Sequence, residues 1–124
     1  MRVNKLLDKK GRDVYSVSPD ATVYDALKVM AEKEIGALVV LKKGKMVGIM
    51  SERDYARKVI LKGKASKDTL VKEIMTSNVI STSPDIKLKK CLALMTKKHI
   101  RHMPVMEDNK LVGIFSIDDV RKVT

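Results

Sequence analysis

Two serine–aspartate pairs with identical spacing are the residues of this chain best suited to chemistry. Ser51 and Asp54 form the first pair, and Ser116 and Asp119 form the second. A serine followed three residues later by an acid, at the start of a helix, is typical of a capping box. The same arrangement suits a phosphorylated ribose, because a serine hydroxyl and helix amides attract phosphate and a carboxylate accepts hydrogen bonds from ribose hydroxyls. The sequence therefore allows either a cap alone or a nucleotide site.

The residues around the two pairs carry different charges. The first pair is accompanied by Arg53 and Arg57, where the second has Asp118 and Lys122. An arginine can bind a phosphate through two N–H groups, whereas an additional aspartate repels it. We therefore hypothesise that the first site, completed by Arg53, binds a phosphorylated ligand more tightly than the second.

A glycine stands three residues before each serine, at Gly48 and Gly113. Because glycine has no Cβ, we expect these positions to admit the close approach of a flat ring to the strand. This expectation adds a place for a base next to the places for ribose and phosphate.

Positive charge near the second motif is expected from Arg101 and His102, which replace a glycine and an alanine of the first half. His99 and His102 also have a spacing that suggests a metal site. Pro104 follows closely and places His102 near the start of a strand, so the two rings are not expected to share a helical face. With no carboxylate or thiol motif to complete a site, we predict that no metal is bound.

Cys91 is the single cysteine of the chain. It cannot form an internal disulfide, and it falls on the apolar face of a predicted helix, where it is expected to be a small buried side chain. A nucleophile needs a positioned base and an orienting group, and the sequence offers no such set. We therefore predict no catalytic residues and no enzyme activity.

An internal duplication positions both motifs. Shifting the chain by 65 residues aligns residues 14–59 with residues 79–124 without a gap, and 16 of the 46 positions are identical. The register is kept through Ser-Pro-Asp near the start and through Val-Gly-Ile-x-Ser-x-x-Asp near the end. Chance similarity between two amphipathic segments would not keep both, so the chain is a tandem repeat.

Each repeat is predicted to be a β-α-β-β-α unit of an α/β fold, with the motif at the junction of the third strand and second helix. In the first repeat the second helix is expected to run to about Leu61 and to stop at Gly63. We assign residues 1–64 to the first repeat with its N-terminal segment, 65–78 to a linker with a short helix at Leu70–Met75, and 79–124 to the second repeat. Val3–Lys9 is the expected counterpart of the linker helix. Since one repeat has too little core alone, we expect the two to pack sheet to sheet about a pseudo-twofold axis.

The composition limits the classes of function. The chain has 124 residues and a net charge of +11, which favours a polyanion partner, but it has only three Tyr, one Phe and no Trp for base stacking. The charge is also spread, with +7 in residues 1–64 and +4 in residues 65–124. No apolar run approaches the roughly 18–20 residues that cross a bilayer, and the basic N-terminus lacks the apolar stretch of a secretory signal. We therefore expect a soluble cytoplasmic protein that does not bind membranes and for which nucleic acid is a less favoured partner.

The chain resembles a tandem pair of cystathionine-β-synthase-type (CBS) domains, a Bateman module, over nearly its whole length. The resemblance rests on the paired Val-Gly-Ile-x-Ser-x-x-Asp motifs, on the Arg-His-Met-Pro-Val run at residues 101–105, and on Ile-Met-Thr at residues 74–76. It implies a regulatory module that binds AMP, ADP, ATP, NAD(H) or S-adenosylmethionine in clefts between the repeats and signals to a protein partner not identified by the sequence. It also implies a homodimer. Family members often continue beyond the position of Thr124, which makes this end a candidate truncation point.

The resemblance also assigns roles to individual residues. Asp54 and Asp119 are expected to bind ribose, and Ser51 and Ser116 to face phosphate. The remaining expected contacts to the adenine are Tyr15, Ser16, Ile80 and Ser81 through the backbone, with Ile49, Ile114 and Pro104 packing near it. Two alternatives remain: a basic nucleic-acid-binding protein on the same platform, and a ligand-free dimerisation module in which both serine–aspartate pairs are only caps.

Overall fold

A computed structural model describes all residues, 1–124, and divides them into two compact units. The first-repeat unit is the continuous segment Tyr15–Val79, and the second-repeat unit combines Met1–Val14 with Ile80–Thr124. The predicted boundaries differ from this division: the N-terminal segment, assigned above to the first repeat, packs with the second, and the linker packs with the first. None of the helices is long and apolar enough to span a membrane.

The first-repeat unit contains the predicted β-α-β-β-α order followed by the linker helix. Its three-stranded sheet has the order β1-β2-β3, with β1 parallel and β3 antiparallel to the central β2. The elements are β1 (Ser16–Val17), α2 (Val23–Lys33), β2 (Ala37–Lys42), β3 (Lys45–Ser51), α3 (Glu52–Lys58), two 3₁₀ turns (Ile60–Lys62 and Ser66–Asp68) and α4 (Val71–Ile74). The second helix of this repeat ends at Lys58, earlier than predicted, and the 3₁₀ turn that follows ends at Gly63 in the left-handed conformation.

The second-repeat unit contains α1 (Val3–Lys10), α5 (Leu88–Lys98), β4 (His102–Glu107), β5 (Lys110–Ser116) and α6 (Ile117–Arg121). The antiparallel pair β4–β5 has the same register as β2–β3, including a bulge at the equivalent position. The strand predicted at 79–82 is absent and is reduced to one parallel bridge between Thr82 and Val105. Mixed helices and strands confirm the predicted fold class.

A helix from outside the repeat closes the core of each unit. Val3, Leu6 and Leu7 of α1 are buried with the second-repeat core, and Val71 and Ile74 of α4 are buried with the first-repeat core. The two helices begin in the same way, since the Val3 N–H donates to a carbonyl of residues preceding α5 and the Val71 N–H to one preceding α2. The prediction that Val3–Lys9 is the counterpart of the linker helix at Leu70–Met75 is therefore confirmed.

Gly48 and Gly113 are needed for this helix packing. A Cβ at Gly113 would lie 2.8 Å from both δ-carbons of Leu7, and a Cβ at Gly48 would lie 2.6 Å from Met75 Sδ and 3.0 Å from the Thr76 carbonyl oxygen. The space where a Cβ would lie at each glycine is therefore already filled by protein atoms. The expectation that a flat ligand ring approaches the strand through this space is wrong.

Gly48→Ala is expected to lower the free energy of unfolding by about 1–3 kcal/mol, the usual cost of overpacking. Gly113→Ala should cost less, because the δ-carbons of Leu7 can rotate away while the backbone carbonyl of Thr76 cannot. Urea denaturation measures both losses. Lys45→Ala and Lys110→Ala, at the exposed first residues of the same strands, are the controls and should stay within about 0.5 kcal/mol of the parent. Equal, small losses for both glycines would contradict this account.

Candidate functional site

The first serine–aspartate pair forms a complete capping box at the start of α3. Asp54 Oδ2 accepts from the Ser51 N–H at 3.0 Å and lies 3.2 Å from the Ser51 hydroxyl, which accepts from the Asp54 N–H at 3.2 Å. The other oxygen, Oδ1, lies 2.9 Å from Lys58 Nζ and accepts from the Thr76 hydroxyl at 3.4 Å. Both oxygens of this buried carboxylate therefore already have donors within the protein.

The second pair forms the same box at the start of α6 but leaves its carboxylate more open. Asp119 Oδ2 accepts from the Ser116 N–H at 2.8 Å, and the Ser116 hydroxyl accepts from the Asp119 N–H at 3.1 Å. Lys10 Nζ lies 4.0 Å from Oδ2, and the position of Lys58 is occupied by Val123, whose side chain has no N–H to offer the carboxylate. The Asp119 side chain is 24% exposed, against 11% for Asp54.

Three side chains that sequence reasoning missed make the two carboxylates different. Lys58 and Thr76 contact Asp54, and Lys10 lies beside Asp119 while donating to the Ile114 carbonyl at 2.8 Å. Lys58 has a signal in the sequence, since it lies four residues after Asp54 on one helix. Lys10 and Thr76 have none, because they come from segments outside the aligned repeats.

The amides at the start of α3 and α6 are largely used by the protein itself. The Glu52 N–H donates to the Gly36 carbonyl at 3.0 Å, and the Ile117 N–H donates to the Arg101 carbonyl at 2.8 Å. The third amide of each helix donates to the capping serine. Both helices are also short, and Ser51 and Ser116 act as caps here. Helix-terminal amides therefore contribute less to a phosphate site than the sequence suggested.

In the first-repeat unit, the backbone that was expected to contact the edge of the adenine is hydrogen-bonded to strand β2. Ser16 pairs with Val39 of β2, and the Val39 N–H donates to the Tyr15 carbonyl at 3.4 Å. Ile49 of β3 is paired with the same Val39, so that β2 lies between Ser16 and Ile49. These predicted residues are thus brought into one row, but the Tyr15 carbonyl already has its donor.

In the second-repeat unit the same backbone is unpaired. Pro104 occupies the position of Val39, 65 residues later, and has no N–H to donate. The Ile80 carbonyl consequently has no hydrogen bond within the chain, and Ser81 is exposed beside it. Pro104 lies opposite Ile114 in β5, which brings the predicted apolar contacts together. The missing donor also explains the missing strand at 79–82.

The predicted cationic residues occupy exposed or half-buried positions. Arg53 and Arg57 are exposed on α3, and His102 is half-buried at the start of β4. Arg101 is exposed, and its guanidinium lies 3.8 Å from Asp118 in an ion pair. Asp118, which was expected only to repel phosphate, therefore also neutralises a neighbouring arginine.

Cys91 is buried on α5, and its thiol donates to the Thr82 hydroxyl at 3.5 Å. Burial raises the pKa of the Cys91 thiol above its ordinary value, and the hydrogen bond with Thr82 opposes the shift. The thiol is consequently a weak nucleophile near neutral pH. No group of three His, Cys, Asp or Glu side chains is arranged to hold a metal ion.

A groove of about 610 Å³ lies elsewhere on the first-repeat unit. It contains none of the predicted site residues, although it lies beside α3. Its lining residues are Leu27, Met30, Ala31, Glu34, Ile35, Gly36, Glu52 and Tyr55.

Both duplicated units match the model of one known family. The family model of the CBS domain matches this chain twice, over residues 10–61 and 71–124. The chain belongs to the CBS domain family. This confirms the resemblance inferred from the paired motifs, and the tandem match corresponds to a CBS pair.

Two solved structures are similar to this CBS pair over almost its full length. The CBS domain protein NE2398 is 44% identical with a TM-score of 0.96, covering 99% of this chain and 96% of that one. A CBS-domain protein of Burkholderia ambifaria MC40-6, described as a candidate for signal transduction, is 46% identical with a TM-score of 0.97, covering 99% and 93%. Both likenesses support the same fold.

Curated relatives include proteins longer than this chain. The mitochondrial CBS domain-containing protein CBSX3 of Arabidopsis thaliana is 46% identical over 106 residues, which are 82% of this chain and 52% of that protein. This chain therefore spans about half of that relative. YhcV of Bacillus subtilis is 30% identical over 118 residues, which are 95% of this chain and 84% of that protein. An inosine-5′-monophosphate dehydrogenase of Methanocaldococcus jannaschii matches over only 22% of its length, so its enzyme activity does not transfer to this CBS pair.

Asp54→Asn is expected to lower the free energy of unfolding by about 1–3 kcal/mol, because it removes a charged acceptor that serves four donor groups. Asp119→Asn should cost only about 0.5–1 kcal/mol, the value of a helix cap. Urea denaturation without ligand measures the difference. Asp20→Asn removes an exposed carboxylate paired with Lys72 and is the control, with an expected loss below about 0.5 kcal/mol. Equal losses at Asp54 and Asp119 would show that the extra donors around Asp54 add no stability.

Proposed function

We propose that this CBS pair is a regulatory module that binds an adenosyl ligand, AMP, ADP, ATP or NAD(H), and signals to a protein partner. The observation that carries the proposal is the Asp119 carboxylate, which is fixed by the Ser116 N–H at one oxygen and is 24% exposed, about twice as much as Asp54. A carboxylate held in this way can accept hydrogen bonds from the two vicinal hydroxyls of a ribose.

The second-repeat unit also supplies what an adenine ring needs. The Ile80 carbonyl has no partner in the chain and can accept a hydrogen bond from the adenine amino group. Pro104 and Ile114 lie opposite each other in β4 and β5 and provide apolar surface beside it. These features support binding at the second-repeat unit rather than at the Arg53 site that the sequence favoured, since Asp54 and Tyr15 already have their hydrogen-bond partners.

Relatives with this fold support an adenosyl ligand and, in general, the formation of oligomers. The CBS domain pair of MJ0100, 24% identical, was solved in complex with 5′-methylthioadenosine and S-adenosyl-L-methionine, so the fold accommodates adenosyl groups in that protein. The CBS-CP12 protein of bloom-forming cyanobacteria, 28% identical, is hexameric. For this chain we propose a homodimer as the regulatory assembly.

Titration calorimetry with adenosine and AMP tests the proposed site. We expect Asp119→Asn to weaken binding of both ligands by about tenfold or more, because a charged hydrogen bond is worth about 1.5–3 kcal/mol. Pro104→Val should weaken both as well, since the restored N–H can pair with the Ile80 carbonyl and occupy the adenine contact. Asp54→Asn and Arg53→Ala are the matched controls and should keep the parent affinity.

Loss of binding in Arg53→Ala with full binding in Asp119→Asn would instead support the original hypothesis of a tighter first site. Full binding in every variant would refute both sites. If no adenosyl ligand binds or raises the melting temperature of the parent protein, the ligand-free dimerisation module becomes the better description.

A second candidate function rests on the exposed face of α5. Residues 87–101 contain five exposed lysines and one exposed arginine without any acidic residue: Lys87, Lys89, Lys90, Lys97, Lys98 and Arg101. Such a local excess of positive charge is suited to the phosphates of a nucleic acid.

Salt dependence separates this candidate from the adenosyl module. If α5 binds DNA or RNA, a Lys89→Gln, Lys90→Gln, Lys97→Gln variant should weaken binding and reduce the slope of log affinity against log salt by up to about 0.9 for each phosphate-binding lysine that is replaced. We expect the parent protein to bind duplex DNA and single-stranded RNA weakly at 150 mM salt, with affinities no tighter than about 10⁻⁶ M. Tight, steeply salt-dependent binding without any response to AMP, ATP or NADH would favour the nucleic-acid function.

A further inference from the structure

Lys10 is the cation that lies nearest to the proposed ribose site. It stands in the last turn of α1, and its Nζ donates to the Ile114 carbonyl at 2.8 Å and lies 4.0 Å from Asp119 Oδ2. The side chain is 26% exposed. A residue from outside the second repeat therefore reaches the strand-to-helix junction of that repeat.

Asp118, the other carboxylate of this junction, is already matched by two arginines. Asp118 lies 3.8 Å from the Arg101 guanidinium and 4.0 Å from that of Arg121, and all three side chains are largely exposed. Lys10 has only the distant carboxylate of Asp119, which also receives the Ser116 N–H. Because an ammonium has three N–H donors and the Ile114 carbonyl takes one, Lys10 keeps donors for a further acceptor.

We propose that Lys10 contacts the negatively charged 5′ substituent of the ligand and makes the Asp119 site selective for adenosine 5′-phosphates. This inference rests on the proposed function. A ribose bound to Asp119 through its hydroxyls has its 5′ carbon only a few bonds away, within reach of a flexible lysine. The contact is a charge-assisted hydrogen bond in a half-buried place, and it favours AMP over uncharged or cationic adenosyl compounds.

The first-repeat unit holds its lysine differently. There the Ile49 carbonyl, which corresponds to that of Ile114, accepts from the Thr76 backbone N–H at 2.8 Å. Lys58 is held 2.9 Å from Asp54 and donates to the Ile74 carbonyl at 2.8 Å. Because Lys58 is already engaged by its own carboxylate and Lys10 lies 4.0 Å from Asp119, we assign the contact with the 5′ charge to the second-repeat unit.

The experiment compares adenosine, 5′-methylthioadenosine and AMP by titration calorimetry against the parent protein and three variants. Lys10→Met removes the charge and keeps the length and helix preference of the side chain. Lys9→Met removes the neighbouring exposed charge of the same helix turn and is the matched control. Lys10→Arg retains a cation at the site. The melting temperature without ligand checks that each variant is folded.

We expect the parent protein and Lys9→Met to bind AMP about tenfold or more tightly than the two uncharged ligands, as one charge-assisted hydrogen bond predicts. Lys10→Met should lose this preference while its affinity for adenosine stays the same, and Lys10→Arg should restore it. The preference should also shrink as salt is raised.

Three outcomes would overturn the proposal. If Lys10→Met keeps the preference for AMP, another group recognises the 5′ charge, and only the role of Lys10 is refuted while the adenosyl site is retained. If Lys10→Met weakens adenosine and AMP equally, Lys10 is only a structural contact. If the parent protein binds none of the three ligands, the proposed function fails, and the selectivity of Lys10 fails with it.

Discussion

The close approach of a helix to a glycine is the constraint on which both units depend. Leu7 lies over Gly113 and Met75 lies over Gly48. A side chain in place of either glycine would collide with the residue above it. These contacts seal each core with a segment from outside its repeat. They also carry the residues that follow, Lys10 in one unit and Thr76 in the other, to the edge of a capping aspartate. The packing of α1 and α4 thus contributes to the difference between the two candidate sites, together with Lys58 on α3 and Pro104 in β4.

The sequence predicted the repeated framework well, because the relevant signals are local. The Ser-x-x-Asp spacing identified both capping boxes, and apolar periodicity identified both hairpins and the long helices. The end of the first repeat's second helix was placed too late, since a 3₁₀ turn continues the apolar pattern up to Gly63. Local signals were thus sufficient for the helices and hairpins, but not for their exact ends or for the strand predicted at 79–82, which is reduced to one bridge.

The candidate sites were less predictable, because their character depends on contacts between distant segments. Lys10 and Asp119 are separated by more than one hundred residues, and no periodicity links them. The role of Pro104 was visible only in part: its lack of an N–H is known from the sequence, but its place opposite the Ile80 carbonyl requires the register of the sheet. The sequence favoured the first site because of Arg53, whereas the surroundings leave the carboxylate of the second site more exposed.

The division of the chain into one continuous and one discontinuous unit has a consequence during synthesis. The first-repeat unit is complete once residue 79 has left the ribosome, and domains tend to fold in order of their appearance. Helix α1 precedes the first repeat in the chain, yet its buried residues Val3, Leu6 and Leu7 belong with the core of the second repeat. The apolar face of α1 therefore has no partner until residues 80–124 have been synthesised, and α1 can dock only then.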